Sequence, residues 1–282
     1  MKIIEPKVEL LSELNISPES HIARCSRVCY GKEHKEPNQE ADEKMVDGLI
    51  KRGHLSMLRH SSVYLLFVGN LPTDFISEYV NTKRLKDYVY ISTNRQFMLE
   101  SDNRAELNSY TPSEFLNLCK EYPELFELYR LTFCITTQIS TSRELNRKSP
   151  NAIAERSTRY CSSKDGLEIC KPWWFKHSIE DITKGNCTYA EKWYYDNMIN
   201  TEEVYKVLLD TNMRPEDARG ILPLDTATKV IYTYSIREWQ HILDLRYYGT
   251  TGKPHPNAKL IAGKIRDEIN KFAIEHGINY KV

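Results

Sequence analysis

Residues 143–160 read RELNRKSPNAIAERSTRY, and the rest of the chain is organised around this stretch, here called the arginine segment. It holds four arginines and one lysine, together with two glutamates and three hydroxyl side chains. Arginine offers a planar fork of hydrogen-bond donors, and serine or threonine adds shorter ones, so this mixture suits a phosphate group. The same charges would also suit a solvated helix face, and the segment alone leaves both interpretations open.

The neighbouring stretches predict the fold. Three stretches are rich in β-branched and aromatic side chains, and each predicts a strand. They are residues 61–68 and 131–137 before the segment and 226–234 after it. Amphipathic periodicity predicts helices at residues 41–52, 74–85, 112–130, 190–210, 235–246 and 256–276. No repeat or linker divides the chain. We therefore expect an α+β fold with a central, mostly antiparallel sheet flanked by helices, as a single domain over residues 1–282.

Composition and charge argue against several classes of function for this chain. Lys plus Arg number 39, as do Asp plus Glu, so no global field attracts nucleic acid or a membrane surface. The seven cysteines form no C-x-x-C pair, and their number is odd, which predicts reduced thiols and a cytoplasmic location rather than disulfides or zinc. The start of the chain lacks the apolar core of a signal peptide, and no run of about 18 apolar residues could span a membrane. No metal site is expected.

Three further clusters carry chemistry. Residues 53–60 place two histidines and a serine just before a predicted strand, and residues 216–223 place an arginine between acids and a proline. In the third cluster Arg237, His241 and Asp244 follow helical spacing, so they share one face. Each cluster alone also has a plainer interpretation, since lone histidines are commonly caps or core residues, and spaced charges commonly form a surface network.

Together the four clusters resemble the flavin-dependent thymidylate synthases. That family carries R-H-R-x-x-S-x-N-E-x-S-x-R-Y, which the arginine segment matches at Arg147, Glu155, Ser157, Arg159 and Tyr160. A G-H-x-S/T-x-x-x-H element is matched by Gly53, His54, Ser56 and His60. An A-R-x-x-L-P element is matched by Ala218, Arg219, Leu222 and Pro223. A final R-x-x-x-x-x-x-x-L-R element is matched by Arg237, Leu245 and Arg246.

The sequence departs from this pattern mainly where the family contacts its flavin. Lys148 and Ser149 stand where the family has His and Arg, so R-K-S replaces R-H-R. Ala152 and Ala154 replace a serine and an asparagine. Arg59 takes a position that is often acidic in the family, and residues 70–130 resemble an insertion relative to compact members.

The resemblance implies an enzyme that makes dTMP from dUMP, with FAD as cofactor and with NADPH and methylenetetrahydrofolate as co-substrates. It implies a homotetramer with shared active sites and small-molecule partners only. Arg246 would be catalytic, stabilising charge that develops on the uracil ring. The dUMP-binding residues would be Glu155, Ser157, Arg159, Arg219 and Arg246. The FAD-binding residues would be Ser56, Arg147, Lys148, Ser149, Arg237 and His241.

Two alternatives remain at this stage. The altered triplet would also suit another pyrimidine-nucleotide modification on the same scaffold, such as hydroxymethylation. The arginine and aromatic content around Arg159, Tyr160, Trp173 and Trp174 would also suit a nucleotide-binding homologue without catalysis.

Overall fold

The structure is a computed structural model that describes residues 1–32, 35–71, 73–101, 108–159 and 166–282. The strands are β1 (Lys2–Ile4), β2 (Lys7–Leu10), β3 (Ser62–Val68), β4 (Asn81–Leu85), β5 (Tyr88–Asn94), β6 (Asn108–Tyr110), β7 (Arg130–Gln138), β8 (Ile153–Glu155), β9 (Glu168–Cys170) and β10 (Ala227–Ser235). The α-helices are α1 (Pro18–Arg27), α2 (Gln39–Lys51), α3 (Arg95–Glu100), α4 (Pro112–Glu121), α5 (Ile139–Leu145), α6 (Ile179–Thr183), α7 (Tyr189–Asp210), α8 (Pro215–Ala218), α9 (Ile236–Leu243) and α10 (Pro256–Glu275). Short 3₁₀ helices include Leu55–His60, Pro123–Leu128 and Arg219–Ile221, and a π-helical turn covers Asp244–Tyr248.

The central sheet has the order β2-β7-β10-β8, and all its pairings are antiparallel. Every residue of β7 is buried, which explains its nearly continuous run of β-branched and apolar side chains. The main core packs against this sheet and includes Phe133 and Trp239, whose rings meet edge to face at 5.3 Å. The expected α+β fold with a mostly antiparallel sheet is confirmed.

A second antiparallel sheet has the order β4-β5-β3-β6. Residues 74–85 were expected to form a helix, and this prediction is wrong. A single 3₁₀ turn, Thr73–Phe75, is followed by β4, which pairs with β5 from Asn81 to Leu85. Cross-strand pairing outweighs the helical spacing of the apolar residues in this stretch. The expected insertion thus supplies three strands that join β3; its status as an insertion stays a prediction.

A small third sheet joins β1 and β9 in parallel near the chain start. The predicted helix at residues 112–130 breaks at Pro123, where a 3₁₀ helix begins. In the described part of the chain, no helix combines the length and the apolar character required to cross a bilayer.

Candidate functional site

The arginine segment begins in the last turn of α5 and continues along one edge of the central sheet. Its middle forms β8, an edge strand that pairs with β10. Glu155, at the end of β8, accepts a hydrogen bond of 2.8 Å from the Ser142 hydroxyl in α5. Tyr160, the last residue of the family motif, lies outside the described residues. While its middle pairs with β10, each end of the segment contacts another of the motif clusters.

The carboxyl-terminal end of the segment meets the loop around α8. Arg159 donates to the Glu216 carboxylate at 3.2 and 3.3 Å, and Arg219 Nη1 donates to Thr158 Oγ1 at 2.9 Å. The Ser157 hydroxyl accepts from the backbone N–H of Arg159 at 3.2 Å. Two motifs that are about 60 residues apart in sequence are thus brought into direct contact. Three of the predicted dUMP-binding residues, Ser157, Arg159 and Arg219, lie here.

Glu216 is the counter-ion of this group. Its carboxylate accepts from Arg214 at 2.7 Å as well as from Arg159. These hydrogen bonds, from Arg214 first and Arg159 next, lower the pKa of Glu216. The carboxylate therefore stays ionised and competes for Arg159 with any other anion.

The beginning of the segment meets the π-helical turn. Arg246 Nε donates to the backbone oxygen of Glu144 at 2.7 Å and lies 3.2 Å from its carboxylate. Burial lowers the pKa of Arg246, and the positive charge of Arg147 adds to this effect. We expected α-helix throughout residues 235–246; instead the helix widens at Asp244, and Arg246 lies on a π-helical turn. Such turns occur frequently at functional sites.

Two of the predicted flavin residues pair with carboxylates. Lys148 lies 3.4 Å from Glu238 and donates to the backbone oxygen of Glu78. Arg237 donates to Glu127 at 2.6 Å and to the backbone oxygen of Thr82 at 3.0 Å. Lys148 thus contacts α9 and the 70–130 range, and Arg237 contacts the 70–130 range. Among the described residues, Lys148 and Arg237 do not contact each other directly.

The other predicted flavin residues lie at the surface. Ser56, Ser149 and His241 are exposed, and among the described residues none of them has a side-chain partner. Within the described ranges, Arg147 donates only to the backbone oxygens of Arg143 and Asn146. Arg237 and His241, expected to share one helix face with Asp244, are both exposed, whereas the intervening Trp239 is fully buried and Asp244 begins the π-helical turn.

The substitutions in the middle of the segment agree with its surroundings. Ala152 and Ala154 are buried, and Ala154 packs in an apolar cluster with Cys25, Val28 and Ile231. An asparagine there would require hydrogen-bond partners that this cluster does not offer.

Sequence reasoning missed two features near the segment. Arg59 donates to the backbone oxygen of Asn151 at 2.8 Å and to Gln96 at 2.7 Å, which anchors the first cluster to the segment. His60, next to it, is fully buried, and its Nδ1 lies 2.8 Å from Thr233 Oγ1. Burial lowers the pKa of His60 to about 3, so its ring is neutral. Both positions carried a sequence signal, His60 as a match to the family element and Arg59 as a departure from it, but their contacts could not be read from the sequence.

A chain of hydrogen bonds continues from His60 into the protein. Thr233 Oγ1 lies 2.8 Å from Thr132 Oγ1, which lies 3.1 Å from His21 Nε2. Arg24 donates to His21 Nδ1 at 2.7 Å, so the proton of this neutral ring is on Nε2. Across the described residues, no group of three or more His, Cys, Asp or Glu side chains is placed to hold a metal ion.

Comparisons with known proteins assign this arrangement to a family. The family model described as thymidylate synthase complementing protein, Thy1, matches residues 92–273. A flavin-dependent thymidylate synthase from Synechocystis sp. is 27% identical over 149 residues, covering 50% of this chain and 67% of the relative. A probable flavin-dependent thymidylate synthase of Paramecium bursaria Chlorella virus 1 is 26% identical over 166 residues, covering 55% and 75%.

Among solved structures, one match is the UMP/dUMP methylase PolB from Streptomyces cacaoi bound with 5-Br dUMP. It is 16% identical, with a TM-score of 0.46, and the alignment covers 98% of this chain and 95% of that one. The family model, which matches well over half of the chain, decides the assignment. This chain belongs to the Thy1 family, and the resemblance to the flavin-dependent thymidylate synthases is thereby confirmed.

Proposed function

We propose that this protein is an FAD-dependent thymidylate synthase that converts dUMP to dTMP with methylenetetrahydrofolate and NADPH. One observation carries the proposal: the three other motif clusters all contact the arginine segment. Arg59 reaches it at Asn151, Arg219 at Thr158, and Arg246 at Glu144. Clusters that are scattered through nearly 200 residues of sequence would not meet at one segment if each were only a local surface network.

The carboxyl-terminal end of the segment is proposed to hold the dUMP phosphate. Arg159 and Arg219 are exposed and offer forked donors, and the Ser157 hydroxyl lies beside them. A phosphate dianion would displace the single negative charge of Glu216 from Arg159, since it carries more charge and three acceptor oxygens. Glu155 would position the nucleotide from the end of β8.

Arg246 is proposed to act on the uracil ring. Its guanidinium is held by Glu144 on one side, which leaves donors free to face a substrate. A positive charge fixed before the reaction stabilises negative charge on the ring without reorganisation. Partial burial strengthens this effect, because solvent screens the charge less.

The residues assigned to FAD carry donors that suit its diphosphate. Arg147 and Arg237 offer exposed cations, Ser56 and Ser149 offer exposed hydroxyls and His241 offers an exposed imidazole, while Lys148 adds a positive charge 3.4 Å from Glu238. These residues would bind and orient the cofactor, which supplies hydride chemistry that no side chain can provide. Lys148 cannot give the flat contact of the imidazole found in the family, so the binding energy rests more on the arginines.

The test is spectroscopic and then chemical. The purified protein, supplemented with FAD, should show a flavin spectrum that NADPH bleaches, and dUMP with methylenetetrahydrofolate should then yield dTMP. Absence of flavin binding would refute the proposal. Flavin binding with a hydroxymethylated product would instead identify the related nucleotide modification, and flavin binding without turnover would identify a homologue that has lost catalysis.

A further inference from the structure

A second cleft lies away from the residues assigned to dUMP and FAD. It is formed by the loop that carries Trp173, the turn after the π-helix and the first half of α10, and it encloses about 610 Å³. That volume is in the range of clefts that bind small molecules. We call it the basic cleft. Its polar and aromatic lining comprises Trp173, Tyr247, Lys253, Lys259, Lys264, Arg266 and Asp267.

The basic cleft concentrates positive charge in a chain whose net charge is zero. Four of its lining side chains are cationic, and Asp267 is its only carboxylate. Arg266 is paired with Asp267 at 2.6 Å, but Lys253 and Lys264 are exposed, and neither has a partner among the described residues. Two ammonium groups are therefore available to an anion.

The cleft also offers an aromatic face. The Trp173 side chain is 56% exposed, although its backbone N–H is fixed by a 2.8 Å hydrogen bond to the side chain of Asn257. In contrast to Trp173, the ring of Tyr247 is covered by a neighbouring side chain, because the Arg266 guanidinium lies 4.2 Å from the ring centre. The indole is thus the free aromatic surface, and it suits stacking by a flat ring.

Two glycines show that the cleft is built into the fold. Gly249 has a φ of +74°, and a Cβ there would lie 2.9 Å from both the Gly252 oxygen and Pro254 Cδ. A Cβ on Gly263 of α10 would lie 3.2 Å from the Tyr247 ring. Side chains at these positions would push the turn and the tyrosine out of place, so the cleft depends on both glycines.

We propose that the basic cleft binds a nucleotide that carries two or more phosphates, with its base against Trp173 and its phosphates at Lys253 and Lys264. A simple phosphate would not use the indole, and an uncharged aromatic would leave both ammonium groups unused. A mononucleotide polyphosphate and a dinucleotide share the required chemistry. None of the residues assigned to dUMP or FAD lines the cleft, so its occupancy is tested separately from those two sites; a dinucleotide in the cleft would bear on the proposed function, which uses NADPH.

The experiment is calorimetric titration of the full chain with ATP and, separately, with NADP⁺, with FAD and dUMP both at saturating concentration to fill the two nucleotide sites proposed above. The variant K253Q/K264Q should raise the dissociation constant by about tenfold or more, because two charge contacts are lost, and Trp173→Leu should have a similar effect. The control K271Q/K281Q removes two exposed lysines outside the cleft and should leave binding unchanged. The tighter of the two ligands identifies the kind of nucleotide.

A second titration measures the binding of the separate parts of ATP. Adenosine and inorganic tripolyphosphate should each bind at least about tenfold more weakly than ATP, because each engages only half of the cleft. Three results would overturn the proposal: no binding of either nucleotide at millimolar concentration, binding that K253Q/K264Q and Trp173→Leu leave unchanged, or tripolyphosphate that binds as tightly as ATP.

Discussion

The buried carboxyl of Glu13 places a titration near neutral pH inside the fold. It accepts hydrogen bonds from the Ser62 hydroxyl at 2.8 Å and from the Ser62 backbone N–H at 3.1 Å. Burial nevertheless raises its pKa to about 7, although these hydrogen bonds and the charges of Arg130 and Arg24 oppose the shift. His21 lies 3.5 Å away but gives no counter-charge, because burial holds its pKa well below the ordinary value.

This shift predicts that stability falls as pH rises through the neutral range. In the unfolded chain Glu13 ionises near 4.5, whereas the folded protein keeps the proton until about pH 7. Between these values the folded state binds more protons, so raising the pH favours unfolding by about 3 kcal/mol in total. Glu13→Gln should remove this loss, and urea unfolding at several pH values between 4 and 8 would measure it. Glu9→Gln, an exposed glutamate on β2, is the control, and parallel profiles for Glu13→Gln and the unmodified protein would contradict the prediction.

Glu216 allows a test of the proposed phosphate site by a single residue. Its carboxylate holds Arg159, so dUMP has to compete with it. Glu216→Gln should therefore lower the KM for dUMP about two- to fivefold, the effect expected for an exposed ion pair, with little change in kcat. Steady-state kinetics would measure both constants. Glu180→Gln, which removes an exposed glutamate from another ion pair, should leave KM unchanged, and an increased KM in Glu216→Gln would mean that the carboxylate positions Arg159 for the substrate.

At the scale of elements, the π-helical turn determines where Arg246 points. A π-turn contains one more residue than an α-turn, so everything after Asp244 is rotated relative to a regular continuation of α9. Deletion of Leu245 should remove the extra residue of this turn and change the direction in which Arg246 points relative to Glu144. We expect dTMP formation to fall by about 100-fold or more, as for loss of a positioned charge in Arg246→Ala.

Circular dichroism and thermal unfolding serve as the fold controls for this pair of variants. Arg246→Ala should keep the fold, since a partly exposed side chain is removed and its partner Glu144 can be solvated. If the deletion variant keeps both its fold and its turnover, the widened turn has no role in placing Arg246.

The elements differ in how well the sequence predicted them. The strands at residues 131–137 and 226–234 agree with β7 and β10 because each is largely buried and therefore mostly apolar, aromatic or β-branched. The stretch 74–85 was assigned wrongly because its apolar residues happen to follow helical spacing, while pairing with β5, a tertiary contact, decides the conformation. The π-turn was missed for a similar reason, since the pattern of α9 continues smoothly through it.

The candidate site shows the same limit. The motif residues could be named from the sequence, but their partners could not, because Glu216 and Glu144 meet Arg159 and Arg246 only after folding. Likewise, the neutral state of His60 follows from its burial beside Thr233, a residue 173 positions away. Spacing identifies candidate side chains, whereas their charge state and their competitors depend on tertiary structure.

At the scale of the whole molecule, the two ends of the arginine segment carry different parts of the proposed site. Arg246 is held at its beginning by Glu144, and Arg159 lies at its end beside Glu216. Suppose that one copy of the segment holds the phosphate of the nucleotide and another copy holds its base. The nucleotide would then bind between two protomers. This agrees with the homotetramer with shared sites that the resemblance implies, and it can be tested without a structure of the assembly.

Mixing two inactive variants provides the test. Arg246→Ala and Arg159→Ala should each abolish dTMP formation, but a refolded equimolar mixture should recover about a quarter of the activity of the unmodified protein, because one site in four receives an intact residue from each protomer. Light scattering should give the mass of a tetramer for both variants and for the mixture. Mixing Arg246→Ala with itself is the control and should stay inactive. A mixture that also stays inactive while forming tetramers would place Arg246 and Arg159 of one site on the same protomer.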